Sequence, residues 1–325
     1  VTAELGVGLV GAGSMGQNHA RVISGLPGVR LTAIVDRDFQ RAQTLSELFG
    51  GAPATGLEAL ERCDAVIVAS STDSHADSAL PLIARGMPLL IEKPIATLMG
   101  TTMAVVDAAC ERDVPLMCGF VERFNAVVAT LRQILDEPPI HILAVRHSPV
   151  NPRSISSVAL DLLIHDVDLV ITICGGREVA HVRGATWTSP GESTADIADC
   201  TMQLRDGAVA TLSASRVGQR KIRTMQVDTG SWLYELDLLR QDLTVYRNVN
   251  QAIVGDAAVY RAQTIIDLPF VRHTAEPLAL EVMHFLSLVT GADADAIAVE
   301  RDSIVPPHRV VAQIAGDVSK RARRP

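Results

Sequence analysis

The run Leu5-Gly-Val-Gly-Leu-Val10 leads without a gap into Gly11-Ala-Gly13-Ser-Met-Gly16, and Met15–Leu26 then carries apolar residues at helical spacing. No other stretch restricts the fold as tightly. A glycine-rich bend alone is a common turn, but between a strand and a helix it has a definite geometry. Gly11 permits the tight turn, Gly13 lets a ligand's phosphates approach the backbone, and Gly16 lets the helix lie close against the strand. The free amides and positive dipole end of the first helical turn then face the anion. This predicts a dinucleotide site with Gly11, Gly13, Ser14, Met15 and Gly16 along the pyrophosphate.

The pattern continues. Leu31–Val35, Ala65–Ala69, Leu89–Ile91 and Pro115–Cys118 are short apolar runs, alternating with the amphipathic segments Asp38–Phe49, Ala76–Arg85 and Leu98–Arg112. Apolar runs this short and this complete fit strands covered on both faces. Their alternation with helices predicts right-handed crossovers and a doubly wound parallel sheet. Asp36 closes the second strand, where a carboxylate accepts hydrogen bonds from the adenine ribose and repels a 2′-phosphate. NAD is the expected cofactor. Arg37, able to pair with a phosphate, keeps NADP as the alternative.

The texture changes near residue 140. A Pro-punctuated stretch, Pro149-Val-Asn-Pro152, precedes a helical pattern from Ser157 to Ile173. From about 179 to 270, Val-, Thr- and Leu-rich runs are split by turns such as Arg205-Asp206-Gly207, a strong hairpin signal. Ala279–Val289 and Pro307–Val318 return to helical periodicity. The expected organisation is a nucleotide-binding domain over 1–122 and a substrate-binding and oligomerisation domain over 123–325. The later strands alternate without a strongly charged side, which predicts a homodimer or homotetramer packed through that sheet.

Composition excludes other classes. The formal net charge of −8 opposes a nucleic-acid surface, which needs clustered Lys and Arg; the basic Lys320–Arg324 reads as a solvated helix end. No apolar run is long enough to span a bilayer, and the first residues lack the basic-then-apolar pattern of a signal peptide. The five cysteines show no C-x-x-C spacing and mostly sit in apolar runs, which fits reduced thiols in the cytoplasm.

Two elements carry candidate chemistry. Glu92-Lys93-Pro94 stands at the carboxyl end of a later strand, the sheet edge where open α/β sheets bind ligands. A lysine there can donate to a substrate oxygen and help anchor the cofactor, and Pro94 stiffens the turn. The second element is Asp161-Leu-Leu-Ile-His165-Asp166-Val-Asp168. On a helix Asp161 and His165 share a face. Either Asp161 fixes the His165 tautomer or it binds a substrate hydroxyl, while His165, with an ordinary pKa near neutrality, exchanges the hydroxyl proton. No third His or Cys falls at ligand spacing beside them, so no metal is expected there.

In order along the chain, the glycine loop, Asp36, Glu92-Lys93-Pro94, Gly119-Phe-Val-Glu-Arg123-Phe-Asn125 and Asp161-x-x-x-His165 resemble the glucose–fructose oxidoreductase/inositol dehydrogenase (Gfo/Idh/MocA) family. The resemblance implies an N-terminal Rossmann domain, a C-terminal α/β domain with an open, mostly antiparallel sheet, and Lys93, Asp161 and His165 as the catalytic set acting on a small sugar-like substrate. It extends the cofactor contacts to Ser70, Ser71, Thr72, His75, Glu92, Lys93 and Arg123. Within the family, Gly119–Asn125, Arg146-x-x-Pro149-x-x-Pro152-Arg153 and Leu160–Asp168 look most like sugar-nucleotide dehydrogenases of the UDP-N-acetylglucosamine 3-dehydrogenase kind. Arg146 and Arg153 are then expected to face a substrate diphosphate. There are departures: Ser70-Ser71-Thr72 replaces the common Thr-Pro-Thr, Ser156–Ala159 replaces a glycine-rich approach, and Phe120 replaces a frequent His. The rival readings are a cyclitol dehydrogenase and, in another class, a nucleotide-sensing regulator without catalysis.

Overall fold

The computed structural model describes residues 4–150, 156–253 and 259–321. Its contacts divide the chain into two units: Val1–Val121 with Ala275–Arg309, and Glu122–Thr274 with Val310–Pro325.

The first unit is built on β1 (Leu5–Val10), β2 (Val29–Val35), β3 (Ala52–Ala54), β4 (Ala65–Val68), β5 (Leu89–Glu92) and β6 (Leu116–Gly119), with α1 (Ser14–Gly25), α2 (Phe39–Phe49), α3 (Thr72–Ala84) and α4 (Met99–Glu111) in the crossovers. The strands are all parallel, in the order β3-β2-β1-β4-β5-β6. The direction of winding reverses between β1 and β4, so the crevice at their carboxyl ends is the natural ligand site. Ala65–Val68 and Leu89–Ile91 are fully buried, because helices cover both faces. The short edge strand β3 has no apolar run of its own, and sequence patterning does not reveal it.

The C-terminal helices α7 (Pro277–Thr290) and α8 (Ala294–Asp302) also belong to the first unit. A division at residue 122 does not contain this return of the chain. Local periodicity announces a helix but not the core it joins.

In the second unit, α5 (Ala126–Ile134) precedes β7 (His141–His147), and a π-helical turn, Ala159–Leu163, runs into α6 (Ile164–Ile173). Then follow β8 (Val179–Trp187), β9 (Ile197–Leu204), β10 (Val209–Ser215), β11 (Ile222–Asp228), β12 (Leu233–Asp237), β13 (Asp242–Ile253) and β14 (Val259–Asp267). The eight strands run in the order β14-β13-β12-β11-β7-β10-β9-β8. All pairs are antiparallel except β7 with β10. The expected Asp206-Gly207 hairpin joins β9 to β10, with Val209 opposite Gln203. One face buries Ala198, Cys200, Met202, Leu212, Met225 and Leu236. The long helix α9 (Val305–Arg321) closes the described chain; its residues up to Arg309 count with the first unit and the rest with the second.

Candidate functional site

In the first unit, a cleft of about 490 Å³ opens at the carboxyl ends of β1, β2 and β4. Gly11, Gly13, Ser14, Met15, Asp36, Arg37, Ser70 and Ser71 line it, as do Arg41 and Ser74. Gly11 has φ of +98°, and a Cβ there would lie 2.5 Å from the Ser70 nitrogen. A Cβ at Gly16 would overlap the Gly11 carbonyl oxygen, so only glycine allows α1 to start this close to β1. At Gly13 a Cβ would meet nothing within 4 Å, which leaves room for a phosphate against the backbone. The first turn of α1 has no acidic residue to compete for its amides.

Asp36 Oδ2 accepts the Ala12 N–H at 2.7 Å, and Oδ1 accepts the Asp38 N–H at 2.9 Å. The carboxylate is thereby fixed beside the glycine loop, and each oxygen keeps a further lone pair for a ribose hydroxyl. These residues fit a dinucleotide. Arg41 and Ser74 were not singled out from the sequence. Both sit in the first turn of a crossover helix that begins at the cleft, and that position was the available signal.

Elsewhere in this unit, the predicted residues Glu92 and His75 turn inward. Glu92 Oε1 pairs with His19 Nε2 at 2.8 Å, while Oε2 accepts the Lys93 N–H at 3.3 Å. His75 is buried, with Nδ1 3.0 Å from the Pro94 carbonyl oxygen and Nε2 3.1 Å from that of Ser70. Burial outweighs these contacts and lowers its pKa, so the ring is neutral near pH 7 and donates to one carbonyl only. The Lys93–Pro94 peptide is cis. Phe120, in place of a histidine, packs its ring 5.8 Å from that of His308. The donor atoms of His19, Glu92 and Glu281 lie within 4.8 Å of one another, and all three residues are buried. These are metal-ligand types, but His19 Nε2 and Glu92 Oε1 are already at hydrogen-bond distance from each other.

In the second unit, the segment expected as one regular α-helix is π-wound from Ala159 to Leu163. π turns inside helices recur at functional sites because they displace a side chain from the regular ladder. Asp161, Leu162 and His165 are half-exposed, whereas Leu163, Ile164, Asp166, Val167 and Asp168 are buried. Asp161 and His165, with Leu162, are thus the part-exposed residues of this stretch, and the two following aspartates face in. His165 Nδ1 is among the buried atoms.

Those inward aspartates correct one expectation. Arg146 is only 2% exposed and cannot present itself to a substrate diphosphate. Its Nε and Nη2 donate to Asp166 at 2.9 and 2.8 Å, and its Nη1 donates to Glu122 at 2.8 Å. A buried guanidinium requires such carboxylates, and they occupy its donor fork. Burial opposes ionisation of Glu122, yet Arg146 and Arg223 outweigh it and hold the carboxyl below its usual range. Complete burial pushes Asp166 the other way, against Arg146. Arg123 likewise points at Asp168, with Nε at 2.9 Å from Oδ2. Arg153, the other residue expected at a diphosphate, lies outside the described residues. Glu122, Asp166 and Asp168 escaped the sequence reading. Their signal was three acids in apolar surroundings, each of which needed a cation.

Comparison with known proteins follows this division. Residues 5–120 match the model of an oxidoreductase family with an NAD-binding Rossmann fold, and residues 126–229 match the GFO/IDH/MocA C-terminal domain. The chain is 30% identical over 292 residues to UDP-N-acetylglucosamine 3-dehydrogenase of Acidithiobacillus ferrooxidans, covering 87% of this chain and 88% of that protein. It is 29% identical over 192 residues to an inositol 2-dehydrogenase of Corynebacterium glutamicum, covering 55% of this chain and 57% of that one. A solved structure of the Acidithiobacillus ferrooxidans enzyme superposes with a TM-score of 0.81 at 26% identity, covering 98% and 99% of the two chains.

Proposed function

The chain belongs to the GFO/IDH/MocA family of NAD-binding oxidoreductases, and from that premise we propose that it is an NAD-dependent dehydrogenase acting on a secondary alcohol or ketone of a sugar nucleotide. The observation that carries the reading is the part-exposed Asp161–His165 pair, at and just after a π turn in a largely buried segment. Similarity across most of the chain to a UDP-N-acetylglucosamine 3-dehydrogenase supports the substrate class.

When bound, NAD supplies the hydride acceptor or donor. The chain's own residues handle the proton and the oxygen. His165 takes the hydroxyl proton on Nε2, since Nδ1 is buried. Asp161 orients the ring or a neighbouring hydroxyl. Lys93 donates a hydrogen bond to the carbinol oxygen as negative charge develops on it. In reduction these roles reverse. Asp36 favours NAD over NADP through the ribose hydroxyls, although Arg37 and Arg41 stand on the same cleft.

A cyclitol substrate is the second reading, and the burial of Arg146 favours it, because the sugar-nucleotide reading loses an expected diphosphate ligand. Purified enzyme screened with UDP-sugars and with inositols, following NADH absorbance, separates the two. Turnover of UDP-N-acetylglucosamine supports the first reading, and turnover of inositols alone replaces it. Assembly into a dimer or tetramer is proposed through the sheet face bearing Thr201, Thr211, Ser213, Thr224 and Gln226. Light scattering at micromolar concentration tests it, and a monomer there rejects it.

A further inference from the structure

The backbone of Glu92-Lys93-Pro94-Ile95 leaves the parallel sheet at the end of β5, whose pairing with β6 stops at Glu92 opposite Gly119. Buried peptide groups still need partners. In this unit side chains serve that role: two histidines, on α3 and α9, meet peptide groups of the turn, and a third, on α1, holds the Glu92 carboxylate that accepts the Lys93 N–H.

His19 on α1 binds the Glu92 carboxylate, whose other oxygen accepts the Lys93 N–H. His75 on α3 meets the Pro94 carbonyl oxygen. His308 on α9 accepts the Ile95 N–H at Nε2, at 2.9 Å. These rings are 0%, 1% and 3% exposed, respectively.

Two of the rings also meet a second backbone oxygen. The second nitrogen of His75 faces the Ser70 carbonyl oxygen, and Nδ1 of His308 lies 2.7 Å from the Ile304 carbonyl oxygen. Because Nε2 of His308 accepts a backbone proton, its Nδ1 carries the ring proton and donates to Ile304, so the tautomer is set. The His308 ring cannot turn without losing a bond at each end, whereas the neutral His75 ring donates to one of its two carbonyls. Satisfying these peptide groups needs only one acceptor or donor apiece. Buried rings bonded in these places also fix where the turn sits, and with it the Cα of Lys93. His19 adds a link of another kind: it rides on the helix that opens at the glycine loop, so the Lys93 turn is tied to the element that would hold the cofactor's phosphates.

We propose that His19, His75 and His308 are positioning residues for Lys93, a rigid cradle that fixes the lysine turn. The inference rests on the reading of Lys93 as the donor to the substrate oxygen. A misplacement of about 1 Å in such a group costs on the order of a hundredfold in rate with little effect on binding elsewhere.

The test compares His308→Leu, which removes the acceptor for Ile95, with His308→Gln, whose side-chain oxygen can still accept. Turnover is measured with UDP-N-acetylglucosamine and with inositol, beside NADH affinity from fluorescence titration. The expected result is a fall in kcat of at least about tenfold for His308→Leu, with NADH affinity within about twofold of the parent and kcat largely restored in His308→Gln. If His308→Leu does not fold, His75→Leu read against His75→Gln decides in the same way. A folded leucine variant with parental kcat overturns the proposal, as does a loss of kcat that tracks NADH affinity or one that glutamine does not repair. Lys93→Ala separates the two levels. Full activity in that variant removes the reading of Lys93 and the cradle's purpose with it. An inactive Lys93→Ala beside a fully active His308→Leu removes the cradle alone.

Discussion

Replacing Arg146 with methionine would remove a buried cation and leave its volume nearly filled. Asp166 would lose two guanidinium bonds and Glu122 one, in a site where Arg146 is 2% exposed. Breaking one side of a buried charge pair typically costs about 3–5 kcal/mol, because the abandoned charge remains in the interior. Arg223, whose Nη1 is 3.2 Å from Glu122, compensates that carboxylate in part. Asp166 is left more exposed to the loss. For a unit of this size the cost corresponds to a drop in Tm of about 6–20 °C near neutral pH. The sign of the pH dependence follows from linkage. Without Arg146 the folded-state pKa of Asp166 rises further above its unfolded value, so the folded form of the variant takes up a proton as pH falls. The variant's deficit should therefore be largest at about pH 8 and shrink towards about pH 5. Circular-dichroism melts of parent and variant at both pH values measure this. Adding Asp166→Leu should recover part of the loss. A variant within about 1 kcal/mol of the parent, or a deficit that grows on acidification, would refute the reasoning. A raised KM with an unchanged melt would restore Arg146 as a substrate ligand.

Further outcomes are expected in the first unit. Asp36→Ser removes the acceptor for the ribose hydroxyls and should shift kcat/KM from NAD towards NADP by roughly tenfold or more, and steady-state kinetics with both cofactors would show it. Gly16→Ala places a methyl group on the Gly11 carbonyl and should abolish measurable NADH binding in a fluorescence titration; parental affinity would contradict the close packing of α1. Burial lowers the His75 pKa below the ordinary value of about 6.5. The unfolded chain thus takes up this proton at a higher pH than the folded one, so stability is full above that value and falls as pH drops through the folded pKa. Tm should decline between about pH 7 and pH 5, less steeply in His75→Gln, and equal slopes would remove His75 as the cause.

The first unit was largely legible in the sequence, because each strand and helix there is a local pattern closed by Gly, Pro or Asp. The glycine loop and Asp36 were legible for the same reason, since their chemistry depends on position within a single strand–turn–helix unit. The ion-pair interior was not. From the sequence Arg146 is expected at a substrate diphosphate, and only the pairing of β7 with β10 and β11 shows it facing the helix side. The cradle also lies beyond local reading, because its histidines come from positions 19, 75 and 308 and meet only through the fold. The π turn was hidden because helical periodicity over so few residues does not distinguish a widened turn from a regular one.

The central claim is that His165 exchanges the substrate proton. Its most direct test is the kcat of His165→Ala with the substrate the parent oxidises, measured beside NADH affinity. A loss of about two to four orders of magnitude in kcat, the usual worth of a general acid–base group, with NADH affinity unchanged is the predicted result. Near-parental turnover in a folded His165→Ala would contradict it.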